Sequence, residues 1–411
     1  MRRLFRCRYA PRRNWRRGGV MICSGTYARA AADIRTGSSV IELQSLRGIA
    51  ALIVVVYHCA LYYDYGAASR SAMSLIFNAH GAVVTFFVLS GFVLTLSLMR
   101  SPLDRRRIGF FYIRRAFRIY PALWTACALA LIYLLVFGAD GVALGSEWAR
   151  MNCGNWPLPT GRIMLAFAGL KSTLPLPIWS LAVELVASAA MPFLILVMRR
   201  SVPAFVILTL GLAVLSRFGG DKLLLIPTYM IDFALGASVA LVVPQLRVAL
   251  RRRGMLAVCA GAGVALLWTG RAIAGADFEL AYHDPLTSMI EGVGAALVIG
   301  AIFVRADRFS ILSARWATRL GDRSYSLYLL HQPVLAILAA TGALLVPRLI
   351  VAHPGAATLV LIAGTIALAM PLATLGFQWI ELPAIGIGQR LVRRLEHFRS
   401  PDRRVAAAMP R

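Results

Sequence analysis

The chain alternates long apolar runs with short polar blocks rich in arginine. An α-helix needs about twenty apolar residues to cross a hydrocarbon core of ~30 Å, and runs of that length recur. They predict ten helices, at 44–63, 79–99, 119–139, 178–198, 202–218, 223–243, 254–272, 285–304, 324–346 and 355–380. The expected fold class is all-α, a polytopic integral membrane protein of about ten transmembrane helices. The longest outer loop, 140–177, holds Trp148, Asn152, Asn155, Trp156, four prolines and Lys171. Those groups suit a sugar face, and an ordinary interfacial loop is the favoured reading. Its apolar stretch Ile163–Leu170 is too short to cross and reads as re-entrant or interfacial.

Composition narrows the class. Of 411 residues 59% are hydrophobic and the mean hydropathy is +0.70, which excludes an ordinary soluble domain. The net charge of +26 would suit a nucleic-acid binder, but the charge sits in blocks between spans. That is the pattern of the positive-inside rule, so the expected partner is the lipid bilayer and not nucleic acid. With the N-terminus inside, the inner segments hold 35 Lys and Arg and the outer ones 8, which predicts both termini in the cytoplasm. The domain reading is a basic N-terminal tail (1–40), a transmembrane domain (41–384) and a basic C-terminal tail (385–411). Residues 1–36 carry ten arginines without an adequate apolar core, so they are no secretory signal peptide. They read as a tail on anionic lipid, an over-extended start before Met21, or a functional arm. The six cysteines form no Cys-x-x-Cys pair, and neither a disulfide framework nor a metal site is expected.

Within this apolar background certain polar residues stand out, because ionisable groups in hydrocarbon are costly and mark sites. Arg47 opens an apolar run and His58 lies inside it. Eleven residues put them within ~20° of one helix face and ~16 Å apart, beyond direct contact. Ser90-Gly91 offers a small surface on the second span, where packing is the simpler reading. The inner segment Phe111–Pro121 places Arg115 and Arg118 on one face, with Arg114 also close to Arg118. Guanidinium forks bind phosphates bidentately; topology and lipid contact are the alternative. Their position just inside the membrane favours a phosphorylated cytosolic ligand. Trp179-Ser180-x-x-x-Glu184 puts Ser180 and Glu184 on one face, with catalysis and a buried ion pair evenly matched. Arg47 is a natural partner for Glu184. Ser324, Tyr328 and His331 form one polar stripe on the ninth span, lining a cavity or a hydrogen-bonded seam. Glu381, at the end of the last span, is expected at the inner water boundary.

Taken together these segments resemble acyltransferase family 3, a family of integral membrane proteins, over about 41–384. The resemblance rests on five motifs in order: Arg47-x10-His58, Ser90-Gly91-Phe92, Arg115-x-x-Arg118-Ile-Tyr-Pro121, Trp179-Ser180-x-x-x-Glu184, and Gly321-x-x-Ser324-Tyr325-x-x-Tyr328-x-x-His331. It implies transfer of an acyl group, most commonly acetyl, from cytosolic acyl-CoA to a hydroxyl of a cell-surface carbohydrate or lipid-linked sugar at the bacterial inner membrane. It implies that Arg47 and His58 are essential and that the arginine pair serves the donor. Glu184 joins them as a catalytic candidate. Arg115, Arg118 and Arg114 are candidates for donor binding. Ser90, Trp179, Ser180, Ser324, Tyr325, Tyr328 and His331 are candidates for the channel wall. No hydrolase-like domain follows the last span, which leaves acceptor capture to the membrane domain or to a separate protein. The rival readings are a transporter built on the same Arg, His and Glu residues, and a scaffold in which polar groups only join helices.

Overall fold

The computed structural model describes residues 38–100, 102–171, 173–217, 225–274 and 284–398, so the basic N-terminal segment and the last residues lie outside it. The described residues form helices and turns, with no strand among them. In chain order the helices are α1 (Ser38–Ala60), α2 (Ala67–Ile76), α3 (Ala79–Met99), α4 (Arg105–Phe137), α5 (Glu147–Cys153), α6 (Thr160–Phe167), α7 (Ile178–Arg200) and α8 (Val202–Arg217). They continue with α9 (Leu225–Ala249), α10 (Arg253–Ala274), α11 (Pro285–Val304), α12 (Arg315–Asp322), α13 (Ser324–Leu345), α14 (Pro347–Ala352), α15 (Pro354–Gly376) and α16 (Leu382–Phe398).

Each predicted span falls on a helix, and among the described residues nine helices are long and apolar enough to cross a bilayer. The tenth, α8, is described over 16 residues, Val202–Arg217, which cover ~24 Å at 1.5 Å per residue. Two boundaries differ from expectation. The stretch bearing Arg114, Arg115 and Arg118, expected as an inner loop before a span, is the first part of the 33-residue α4. Asp104 begins it by accepting from Arg107 N–H, and Gly138, at φ 56°, ends it. At the other end, α15 passes through a π turn, Phe377–Glu381, into α16, which packs back against α4. In the outer loop, α5 and α6 are single short helices that do not cross.

Two hydrophobic cores organise the bundle. One joins α3, α7, α9 and α11; the other joins α4, α13, α15 and the outer loop. Helix α1 contributes to both, with Leu43, Ala50, Val54 and Tyr57 in the first and Ala51, Val55 and Cys59 in the second. It stands as the partition between them, which explains why it is apolar nearly all round. Its inner half is fixed by backbone contact with α12. A Cβ on Gly48 would lie 2.6 Å from Gly321 N, and one on Gly321 would run into the Gln44 carbonyl. Only a pair of glycines permits this crossing, and the crossing places Arg47, the next residue, at the seam between the cores.

Candidate active site

A cavity occupies that seam. It encloses about 480 Å³, its open mouth included. Arg47 of α1 lines it, with Val83, Phe86, Phe87 and Ser90 of α3, Ser180, Leu181 and Glu184 of α7, and Ser324, Tyr325, Tyr328 and Leu329 of α13. Four helices from both cores therefore bring seven of the sequence-predicted residues to one space. The polar groups Arg47, Ser90, Glu184, Ser324 and Tyr325 gather toward one end of these helices. Aromatic and aliphatic groups gather toward the other.

Charge concentrates at the polar end. Arg47 stands within electrostatic range of Arg118, Arg115, Glu184 and Glu381. Glu184 pairs with Arg115, not with Arg47 as the sequence suggested. Arg115 reaches it because Nε donates to Ser188 Oγ at 2.8 Å, one turn further along α7. The long helical start of α4 is what delivers Arg115 to that point. Glu381 does not remain at a water boundary: it is 3% exposed and accepts from Ser326 Oγ. The π turn that contains it rotates the carboxylate into the bundle. Three guanidinium groups thus share two carboxylates, leaving net positive charge beside the cavity. Arg114 is exposed on α4 and does not join the lining.

At the opposite end two imidazoles meet. His58 Nδ1 and His331 Nε2 are 2.8 Å apart, and the rings stack with centroids 5.1 Å apart. His331 Nδ1 also lies 3.3 Å from the Leu327 carbonyl. A carbonyl only accepts, so this contact assigns the His331 proton to Nδ1 and leaves Nε2 bare. Nε2 then accepts from His58 Nδ1–H, which leaves His58 Nε2 as a lone pair able to take a proton. The partner fixes the tautomer that a general base requires. His331, expected on the channel wall, is 0% exposed and sits behind the wall instead. Trp179, also expected there, packs on Phe87 and Tyr229, one layer out.

The sequence reading put His58 deep within its span, but α1 ends at Ala60 and His58 stands in its last turn. The outer loop covers it. Ser146 N–H donates to the Tyr62 carbonyl at 2.7 Å and Ser146 Oγ to the Leu61 carbonyl at 2.6 Å. The same serine caps α5, and Trp148 in the first turn of α5 lies 5.2 Å from the His58 ring. The cavity stops one ring short of the histidine pair. Tyr328, which closes it, lies 5.9 Å from His331.

A second polar cluster was missed. His80 Nδ1 lies 2.5 Å from Glu291 Oε2, and His80 Nε2 lies 3.1 Å from Tyr229 Oη. Asn78 Nδ2 donates to Glu291 Oε1 at 2.7 Å, and Arg271 donates to Asn78 Oδ1 at 2.8 Å. Asp232 lies beside it and accepts from Ser288 Oγ at 3.0 Å. The signal was the one that singled out His58, since Asp232 and Glu291 both fall inside predicted spans.

A polytopic helical bundle with a charged cavity leading toward an oriented imidazole is the architecture of a membrane-embedded group-transfer enzyme. The chain belongs to the acyltransferase 3 family: that family's model, described as an acyltransferase domain, matches residues 40–374. It is 28% identical over 344 residues to Nodulation protein 10 of Rhizobium leguminosarum bv. viciae, covering 78% of this chain and 86% of that protein. No solved structure matches it significantly. The protein is thus an integral membrane acyltransferase, and the transporter and scaffold readings give way.

Proposed function

We propose that the enzyme takes an acyl group, acetyl foremost, from cytosolic acyl-CoA and esterifies a hydroxyl of an extracytoplasmic or membrane-associated carbohydrate. Both termini lie in the cytoplasm of a bacterial cell whose inner membrane holds the bundle. The positive-inside count supports that orientation, and it puts the arginine-rich end of the cavity toward the cytosol. Coenzyme A is a polyanion, and its phosphates meet Arg118 and Arg115 there. Arg115 is already aligned by Ser188 and Glu184, so its remaining N–H groups are presented in a fixed direction. Arg47, three turns of α1 below His58, guides the flexible arm of the donor into the cavity. His58 removes the proton from the acceptor hydroxyl, and that oxygen attacks the thioester carbon. The thiolate leaves and recovers the proton from the imidazolium, so no net proton is consumed.

The observation that carries this reading is the chain Leu327 carbonyl, His331, His58, which leaves His58 Nε2 as the basic nitrogen of the pair. The test uses membranes holding the full chain, radiolabelled acetyl-CoA and the native glycan fraction. His58→Ala is expected to lower label transfer by about 10³-fold at normal abundance, the middle of the range for general base catalysis. Near-normal transfer removes His58 from the role. Mass spectrometry of surface glycans with and without the protein then identifies the acyl group and its sugar.

A further inference from the structure

Tyr328 has a role that its place in the lining does not describe. Its hydroxyl lies 2.6 Å from Ser180 Oγ, at the end of the cavity nearest the histidine pair. Either hydroxyl can in principle donate across that gap. Ser180 Oγ, however, also lies 3.0 Å from the Pro177 carbonyl, which can only accept. A serine has one proton, and placing it on Pro177 O leaves Ser180 Oγ to accept from Tyr328. The proton between the two residues then belongs to the phenol. The ring is held by Phe86, whose centroid is 5.6 Å away in an edge-on arrangement, and by His331 three residues on in the same helix. The phenol therefore offers a fixed oxygen and a proton that rotates about one C–O bond without displacing a heavy atom.

We propose that Tyr328 is a catalytic residue, the hydrogen-bond donor that stabilises the oxyanion formed when the acceptor oxygen attacks the thioester. The step rests on the reading of His58 as general base. As the new C–O bond forms, the carbonyl π electrons move to oxygen, and the Tyr328 proton turns from the neutral Ser180 hydroxyl to that anion. When the oxyanion collapses, the C–S bond breaks, the thiolate takes the proton from the His58 imidazolium, and the phenol returns to Ser180. Tyr328 keeps its own proton throughout. Ser180 parks the donor between turnovers, in a site where a preorganised donor is worth more than in water.

The experiment compares the full chain in membranes with Tyr328→Phe, Ser180→Ala and His58→Ala, and with 3-fluorotyrosine incorporated at position 328. Transfer from radiolabelled acetyl-CoA to native glycan is followed over a range of donor concentrations. Tyr328→Phe is expected to lower kcat by about 10²-fold with KM for acetyl-CoA within about twofold, the effect of deleting one oxyanion donor. Abundance and gel-filtration profile stay normal, because only one oxygen is lost. The more acidic fluorophenol is expected to raise kcat above that of the tyrosine enzyme, a response that a packing role does not produce. Ser180→Ala removes the acceptor that holds the phenol proton at rest and is expected to lower kcat, by less than Tyr328→Phe does. If His58→Ala is inactive while Tyr328→Phe stays within about threefold of wild type, the oxyanion role falls and the general-base reading stands. If both variants retain activity, the two fall together. A rise in KM equal to the loss of kcat/KM, with no response to fluorination, also overturns the proposal and leaves Tyr328 as a wall of the cavity.

Discussion

The bundle holds two buried histidine centres, and they differ in what each ring is allowed to do. In the His80 centre both ring nitrogens are committed, one to Glu291 and one to Tyr229, and the side chains of His80 and Glu291 are 1% and 0% exposed. Further partners, Asn78 and Arg271, tie the carboxylate to α10. In the His58 centre the partner is another imidazole, and the hydrogen-bond chain ends with a nitrogen left over. His58 is also only partly buried and has an indole beside it. Burying a charge without a partner is expensive, so a saturated centre serves the fold. A centre with a ring nitrogen left over, as at His58, is the candidate for proton exchange. On the proposed mechanism the same residue type is structural on α3 and chemical on α1 because of its neighbours.

Substitutions separate the two, and the largest contrast is between His58→Ala and His80→Leu. The first is expected to remove ~10³-fold of transfer and leave abundance unchanged. The second strands Glu291 in a buried site, at a cost of roughly 3–5 kcal/mol, and is expected to lower abundance and the detergent melting temperature. The His80→Leu protein that does fold should keep kcat within about twofold. If His80→Leu abolishes catalysis at normal abundance, the division of labour is wrong. A paired His80→Leu, Glu291→Leu change should recover part of the lost stability, since it removes both buried partners together.

Next in size is His331→Leu. It removes the acceptor that orients His58, and a hydrogen bond to a group that becomes charged is worth ~1.5–3 kcal/mol. The expected loss is about ten- to hundredfold in kcat, with little change in donor KM. An unaltered rate would show that the two imidazoles are merely stacked. Arg115→Lys should act on the other end of the cavity. Lysine cannot hold Ser188 and Glu184 in the fork geometry, so the KM for acetyl-CoA should rise about tenfold while kcat changes less. The smallest effect belongs to Arg114→Ala. Exposed on α4, it should move donor KM by less than about twofold; a shift as large as that of Arg115→Lys would return it to the donor site.

Much of this was legible in the residues. The spans follow from apolar length alone, and Arg47, Ser180, Glu184, Tyr325 and Tyr328 reach one cavity as the motifs implied. Partnerships were less legible, because they depend on where helices cross. Glu184 takes Arg115 since α4 begins earlier than its apolar run shows, its first three turns being basic and amphipathic. Glu381 turns inward through one π turn, which no periodicity reveals. Residues 58 and 331 are far apart in the chain, and nothing in either motif states that their rings touch. The His80 centre was hidden for a different reason: its members are spread over four helices far apart in the chain, and no one of them carries a recognisable motif.

Ser146 has a consequence for the outer face. By fastening the loop to the terminal carbonyls of α1, it makes the indole and the imidazole parts of one rigid body. On the proposed function, an incoming alcohol would meet a ready-built wall, not a flap that must first fold down. Exchange of the whole loop between relatives would preserve reactivity only where this serine anchor travels with it.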